Sequence, residues 1–403
     1  MSTERKQNKV SPLRSGLNQK ELRYLNERLL LSMIQRYGGM PRSELARISG
    51  LSTQTASVII RKLETDGILI PGSPVKGRVG KPSTPMALAP DGVFSIGLKI
   101  GRRNSEVVLL DFVGTIRDRR IIRYRYPEPG AILEFLDTAM TEVTASLTAD
   151  QRRRVAGIGI AAPHDLWQWY EKMGAPAARI EAWRNTDFPA EVARFSDLPV
   201  SIVNDATAAC RAEHIYGRGR EYRDYAYFHV GTFIGGGIVL NHAVHEGNQG
   251  NAGAFGSLRT LDREGRPATL IDTASILLLE QRLAAAGLDA ERLCAEHGDW
   301  SGMGEHLDPW IDQLGGELAS ASLSICSVVD FEAVFIDGSF PASVRARIVA
   351  AVRHHIENRD RRGLILPAIR EGTIGVDAKA MGAATGPIFD GYFLNPNARA
   401  TVV

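Results

Sequence analysis

Two stretches of the chain carry groups suited to chemistry. Residues 230–240 read VGTFIGGGIVL, a glycine cluster between apolar runs. Backbone N–H groups in such a cluster can approach an anion closely, as phosphate-holding loops do. Residues 52–61 read STQTASVIIR and open with Ser52, Thr53, Gln54 and Thr55, followed by Ser57 and Arg61. Glutamine pairs bidentately with adenine and arginine suits phosphates, so this stretch has the vocabulary of a DNA reader. The three cysteines, Cys210, Cys294 and Cys326, are far apart and form no CxxC pair, which argues against a disulfide framework or a cysteine-rich zinc site.

The elements around the second stretch follow one another quickly. In NERLLLSMIQRYG, Leu29, Leu30, Met33, Ile34 and Tyr37 recur at helical spacing, and Gly38-Gly39 ends the pattern. MPRSELARISG predicts a short helix with Leu45 and Ile48 inward, stopped by Gly50. The next segment starts with Ser52 as N-cap, and its inward stripe is Ala56, Ile59, Ile60 and Leu63. Its other face offers the polar residues above, with Arg42 nearby for phosphate. Helix, short helix, glycine turn and a third helix with a polar N-terminal end make a helix-turn-helix, whose recognition helix enters the major groove with its first turns. Ile68-Leu69-Ile70 and VKGRVGKP then predict a β-wing and a basic extended segment, in which Arg78 and Lys81 reach the minor groove or the backbone. Residues 1–90 carry a net charge of +9 and the remainder −7, the polarity expected of a basic DNA-binding head on an acidic body. The expected division is a basic arm over 1–20, a winged helix-turn-helix over 21–82 and a linker over 83–92.

Beyond Pro82-Ser83-Thr84-Pro85 the pattern changes to that of an α/β body. SIGLKI, SEVVLLDF and TIRDRRIIRYRY predict a β-meander, followed by a helix near 131–147 and a buried strand, VAGIGIAA. SIVNDATAACRAEHIYG is a strand running into a helix with Asn204-Asp205 at the junction. YAYFHVGTFIGGGIVLN predicts two strands joined by the glycine turn. Helices are expected over 272–330, then a strand at AVFIDGS. No apolar run approaches the roughly 20 residues of a membrane span, and the polar start lacks a secretory signal, so a cytoplasmic protein without membrane association is expected.

These residues resemble the ROK family, which groups repressors, open reading frames and sugar kinases. The likeness is most specific in VNDATAACRAEHIYGRGREYRDYAYFHVGTFIGGGIV, and DAKAMGAATGP and GRVGKPSTPMALAP fit the family's closing helix and interdomain link. The resemblance implies an α/β fold in which a two-lobed actin/hexokinase-like (ribonuclease H-like) domain, residues 93–403, follows the N-terminal winged helix-turn-helix. The small lobe would take about 93–203 plus the C-terminal helix, and the large lobe about 204–375.

The resemblance also implies what a kinase of this kind needs and what this chain has instead. Asp205 stands at the position of the catalytic base. The first phosphate loop, D-x-G-G-T in kinases, is Lys99-Ile100-Gly101-Arg102-Arg103 here. Phe233 stands where a glycine admits phosphate, and the nucleoside-side loop is reduced to Ile336-Asp337-Gly338-Ser339. The sugar motif A-G-E-x-G-H reads Ala252-Gly253-Ala254-Phe255-Gly256-Ser257, and residues 263–270 hold no cysteine. Only Asp272 could replace the second sugar glutamate. The expectation is therefore no catalytic residue, no metal and no cofactor, with Asp205 a vestige and the glycine loop keeping a tight strand turn.

The ligand contacts expected are His164, Trp183, Asn204, Asp205, Gly253 and Ser257. His164 replaces a turn glycine of the family. Trp183, with Trp167, Trp169 and Tyr170, either stacks on a sugar face or packs into the core. Asn204 and Asp205 either contact ligand or cap a helix. The function implied is a DNA-binding regulator, a homodimer or tetramer on a palindromic double-stranded operator. A sugar or sugar derivative bound between the lobes would release it from a carbohydrate uptake or catabolism operon. The alternative is a sugar kinase with Asp205 as base, and a third possibility is control by a protein partner.

Overall fold

A computed structural model describes residues 18–73, 84–164, 176, 179, 181–294, 298 and 300–394. Helix α1, Gln19–Tyr37, begins ten residues before its apolar stripe. A capping box starts it: Asn18 accepts from the Glu21 N–H at 2.9 Å and Glu21 accepts from the Asn18 N–H at 2.8 Å. Strand β1, Met40–Pro41, leads into α2, Arg42–Ser49, closed by Gly50 at φ +71°. Helix α3, Thr53–Thr65, is capped by Ser52, whose Oγ accepts from the Thr55 N–H at 3.1 Å. Its buried residues are Ala56, Ile59, Ile60 and Leu63, as the spacing predicts.

Strands β2, Leu69–Pro71, and β3, Pro85–Leu88, complete a sheet in the order β1-β3-β2. The segment 83–92, expected to be a linker, thus supplies the middle strand of the head. Two apolar residues expected inward are outside, Tyr37 at 59% and Ile48 at 39% exposure. The buried face of α1 is Leu30 and Ile34 of the expected stripe together with Leu31. Those side chains share one apolar cluster with Leu45 and Ile60 of the head and with Phe112, Met381, Ile388 and Phe393 of the body. Head and body have a common core.

The body holds two five-stranded sheets of identical plan. The first comprises β4 (Phe94–Ile100), β5 (Asn104–Asp111), β6 (Ile116–Arg123), β7 (Val155–Ala162) and β8 (Val200–Asn204), ordered β6-β5-β4-β7-β8. β4, β5 and β6 are antiparallel, while β7 and β8 run parallel to β4. Helix α4, Pro129–Val143, covers one face with Ile132, Leu136, Ala139 and Val143. Helix α5, Asp205–Tyr216, leads to the second sheet: β9 (Tyr225–Val230), β10 (Ile234–Leu240), β11 (Ala243–Val244), β14 (Ala333–Gly338) and β15 (Ala368–Glu371). The order β11-β10-β9-β14-β15 repeats the first sheet, with β14 and β15 parallel to β9. A hairpin of β12 (Arg259–Leu261) and β13 (Pro267–Thr269) projects from this lobe. Its outer layer is α6 (Ile276–Ala285), α7 (Gly304–Cys326) and α8 (Ala342–Glu357), which bury Leu279, Trp310, Leu314, Leu318 and Ile348.

Helix α9, Ala378–Tyr392, is wedged between the lobes and packs on the first sheet and on α5. Its small residues allow backbone contact. A Cβ at Gly159 of β7 would stand 1.8 Å from the Ala383 carbonyl oxygen, and one at Gly382 would stand 1.8 Å from that of Ala208 in α5. Among the described residues no helix is long and apolar enough to cross a membrane.

Candidate functional site

A cleft of about 410 Å³ lies between the lobes. Its walls come from the β4–β5 hairpin, the β8–α5 junction, the β9–β10 turn, residues 251–257, α6 and the first turn of α9. The two sheets bring their matching strand ends together there, which is where α/β folds of this plan bind ligands.

At the β8–α5 junction, Asn204 and Asp205 both line the cleft. Asn204 caps α5, its Oδ1 accepting from the N–H groups of Ala206 at 3.0 Å and Thr207 at 3.3 Å. Asp205 faces the cleft, and its Oδ2 accepts from the Lys379 ammonium of α9 at 2.5 Å. Their side chains are 15% and 16% exposed. Lys379 was not singled out from the sequence. The available signal was a cation in the first turn of a helix otherwise built from small residues, where the helix dipole disfavours positive charge.

The β4–β5 hairpin closes the cleft by charge pairing. Arg102 donates to Glu280 of α6 at 2.8 Å and Arg103 reaches the same oxygen at 3.4 Å. Glu280 is 7% exposed in its side chain. The stretch that resembles the first phosphate loop of the kinases carries an ionic link between the lobes. Lys99 donates to Asn104 Oδ1 at 2.8 Å, on the same wall.

The opening glycines do not form a loop. The turn is Gly231 to Phe233, and Gly235, Gly236 and Gly237 lie inside β10, paired with His229, Phe228 and Tyr227 of β9. Each leaves room for a neighbour on alternating faces. Cβ atoms at Gly235 and Gly237 would stand 2.7 Å and 2.5 Å from the Cβ atoms of Ala206 and Cys210 in α5, and one at Gly236 would stand 2.3 Å from the Phe255 ring. The tight strand turn expected within residues 230–240 is present at Gly231–Phe233, while Gly235 and Gly237 stand beyond it in β10 and form a seat for α5.

Gly253, Ser257 and His164 line the cleft, Gly253 at φ +76° with its backbone against Gly237, and His164 exposed at the rim. Trp183 does not line it. It is 7% exposed, stacks on Phe188 with ring centroids 5.3 Å apart, and donates its indole N–H to the Pro127 carbonyl at 3.1 Å. It packs in the apolar cluster that also holds Ile132 and Leu136 of α4. Trp167, Trp169 and Tyr170 lie outside the described residues. Asp272 is engaged in a capping box with Thr269, at 3.0 Å to the N–H and 2.6 Å to the hydroxyl, and does not line the cleft.

Two buried groups underlie the cleft. Asp337 accepts from Arg345, Gly338 N–H and Gly375 N–H, each at 2.9 Å, so its carboxylate is engaged within the protein. His229 is fully buried, and burial, reinforced by the Lys379 and Lys99 ammonium groups, holds its imidazole well below the usual histidine range. Among the described residues no three metal-ligating side chains converge.

On the head, Ser52, Thr53, Gln54, Thr55 and Arg61 are exposed and Ser57 is half-buried. The hydroxyls of Ser52 and Thr55 bond each other at 2.8 Å at the helix cap. Arg42 pairs with Glu64 at 2.6 Å, at 40% side-chain exposure. Arg78 and Lys81 lie outside the described residues. Val58, which the polar-face reading omits, is 57% exposed on the same outer surface of α3.

The head is tied to the body along α1. Tyr24 donates to the Gly391 carbonyl at 2.9 Å, and Arg28 donates to the Phe393 carbonyl at 2.7 Å and the Phe389 carbonyl at 3.4 Å. Farther along, Gln35 donates to the Ile215 carbonyl of α5, and Arg36 lies 2.6 Å from the His242 ring.

Comparison with known proteins agrees with both halves. Residues 95–275 match the ROK family and residues 25–70 match a winged helix-turn-helix DNA-binding domain. The chain is similar to the xylose repressor of Bacillus subtilis, 23% identical over 60% of this chain and 62% of that protein, and so spans about three-fifths of it. Its fold resembles the crystal structure of a ROK family transcriptional regulator, a homolog of the E. coli MLC protein. That likeness has a TM-score of 0.64 and 20% identity, covering 92% of this chain and 98% of the other. It also resembles a ROK family glucokinase from Streptomyces griseus, at a TM-score of 0.55 and 22% identity, covering 72% of this chain and 98% of the other. The chain thus joins an N-terminal winged helix-turn-helix, matched over residues 25–70, to a ROK family domain, matched over residues 95–275.

Proposed function

We propose that this protein is a sugar-responsive, DNA-binding transcriptional repressor acting in the cytoplasm. One observation carries the reading. Helices α5 and α9 both start at the cleft, where Asp205 and Lys379 join them, and both end on α1 of the head, at Gln35 and at Tyr24 and Arg28. The two helices pack on each other and each also packs on a different sheet, so α1 touches elements anchored in both lobes. A ligand that binds the closed and open arrangements unequally would therefore reposition the head. A homodimer would set two α3 helices on half-sites about one turn, roughly 34 Å, apart, and a change in head spacing would release a palindromic operator.

A repressor bearing the name xylose repressor among its relatives supports a carbohydrate-derived effector. The sugar-kinase alternative draws on Asp205, which faces the cleft. Against it stand the Lys379 ammonium on that carboxylate, the Glu280 link across the first phosphate loop and Arg345 in the third. Fluorescence anisotropy on DNA from upstream of the protein's own gene, at fixed salt and across a panel of sugars and sugar derivatives, tests the main reading. Tight binding weakened by one compound is the expected result. ATP-dependent phosphorylation of a sugar, abolished in Asp205→Asn, would overturn it in favour of the kinase.

A further inference from the structure

The outer face of α3 carries one apolar side chain among polar ones. Val58 is 57% exposed, whereas the other β-branched apolar residues of the helix, Ile59 and Ile60, are 3% and 0% exposed. It lies one turn beyond Gln54 and one turn before Arg61 and Lys62, all exposed. An exposed β-branched residue inside a helix gains nothing locally, because it loses rotamer freedom against the preceding turn and leaves apolar surface in water.

The face is also notable for what it offers the bases. Its first two turns hold Thr53, Gln54, Thr55, Ser57 and Val58, with no arginine or lysine until Arg61. Guanine is read in the major groove chiefly by bidentate arginine or lysine, adenine by glutamine or asparagine, and thymine by apolar contact with its C5-methyl group. The chemistry displayed is that of an A·T reader. Gln54 and Val58 are four residues apart, a rise of about 6 Å, which matches about two base-pair steps.

Building on the DNA-binding reading above, we propose that Val58 is a specificity-determining residue that packs its methyl groups on a thymine methyl in each operator half-site, within about two base pairs of an adenine read by Gln54. Desolvating the pair of methyl groups discriminates thymine from cytosine, which lacks the methyl, with no hydrogen bond involved.

The test uses full-length protein and a site recovered by repeated selection from a random DNA pool. In that site each thymine is replaced singly by uracil, which removes only the methyl. The wild type is expected to lose about fourfold in affinity at one position per half-site, the worth of one buried methyl group. Val58→Ala should bind the parent site more weakly and be indifferent to uracil at that position, while Val58→Ile keeps the sensitivity. Circular dichroism and unchanged binding to non-specific DNA establish that the variants are folded. A recovered site whose thymines all tolerate uracil, or whose sensitive position is the same in Val58→Ala, overturns the proposal and leaves the DNA-binding reading intact. Recovery of no sequence at all overturns both.

Discussion

The Lys379 ammonium stands 2.5 Å from the Asp205 carboxylate, joining the first turn of α9 to the first turn of α5 at the floor of the cleft. The pair compensates the charge of a carboxylate that a kinase would leave open to a hydroxyl. Removing one partner strands the other at about 15% exposure. Lys379→Met should cost about 1–3 kcal/mol in thermal unfolding and alter the response to the effector, measured as the ligand concentration that half-releases DNA.

Across the same cleft, Glu280 serves both Arg102 and Arg103. Glu280→Gln keeps the shape and removes the charge, leaving two guanidinium groups facing each other. The lobes should part more readily. Amide hydrogen exchange in the 101–104 hairpin is expected to rise and stability to fall by about 1–3 kcal/mol.

The bridge through α1 makes a different prediction. Arg28→Ala combined with Gln35→Ala removes hydrogen bonds to the ends of both α9 and α5 without touching α3 or the cleft. Operator affinity without ligand should change little, and ligand affinity should be retained. The coupling between them, measured as the ratio of DNA affinities with and without effector, should shrink by about tenfold or more, because coupling free energies are typically only 1–3 kcal/mol.

Close backbone approach makes Gly159 and Gly382 intolerant of any side chain. With 1.8 Å between an added Cβ and a carbonyl oxygen, the helix must shift bodily. Gly159→Val should destabilise by about 3 kcal/mol or more and reduce the yield of folded protein, whereas Gly130→Ala, with open space around it, should be nearly neutral.

Acid should weaken the fold through His214. Burial, the largest influence, takes its imidazole from an ordinary 6.5 down to about 4. An unfolded chain binds this proton below about pH 6.5 and the folded chain only near pH 4, so the stabilisation is complete above 6.5 and is lost as pH falls through that window, by about 3 kcal/mol at most. His229 shifts in the same direction. Denaturant titrations at pH 7 and pH 5 should show the loss, and His214→Gln should flatten it. The ring also bonds the His242 carbonyl at 2.9 Å, beneath Arg36 of α1, so acid should loosen the seam between head and body as well.

How much of this was legible before folding depends on how local its cause is. The stripe Ala56, Ile59, Ile60, Leu63 and the Ser52 cap fixed α3, because periodicity and capping act within a few residues. The β-meander, the α5 junction and the loss of the phosphate-loop acid were readable for the same reason. Local pattern also misled where one composition serves two shapes. Residues 230–240 read as two strands joined by a glycine turn; the turn lies at Gly231–Phe233, but Gly235 to Gly237 thin β10 to admit its neighbours, since a missing Cβ signals either positive φ or a close neighbour. Trp183 read as a sugar platform or a core residue, and only its neighbours decided for the core. The pairings Asp205–Lys379 and Arg102–Glu280 join residues 174 and 178 positions apart. No spacing rule reaches that far. The sequence alone determined most of the local elements and which residues stand at the positions of the family's phosphate and sugar motifs. The tertiary structure decided which charges meet across the cleft and that one helix of the head spans the ends of two others, because those contacts exist only once two separately folded sheets close on α9.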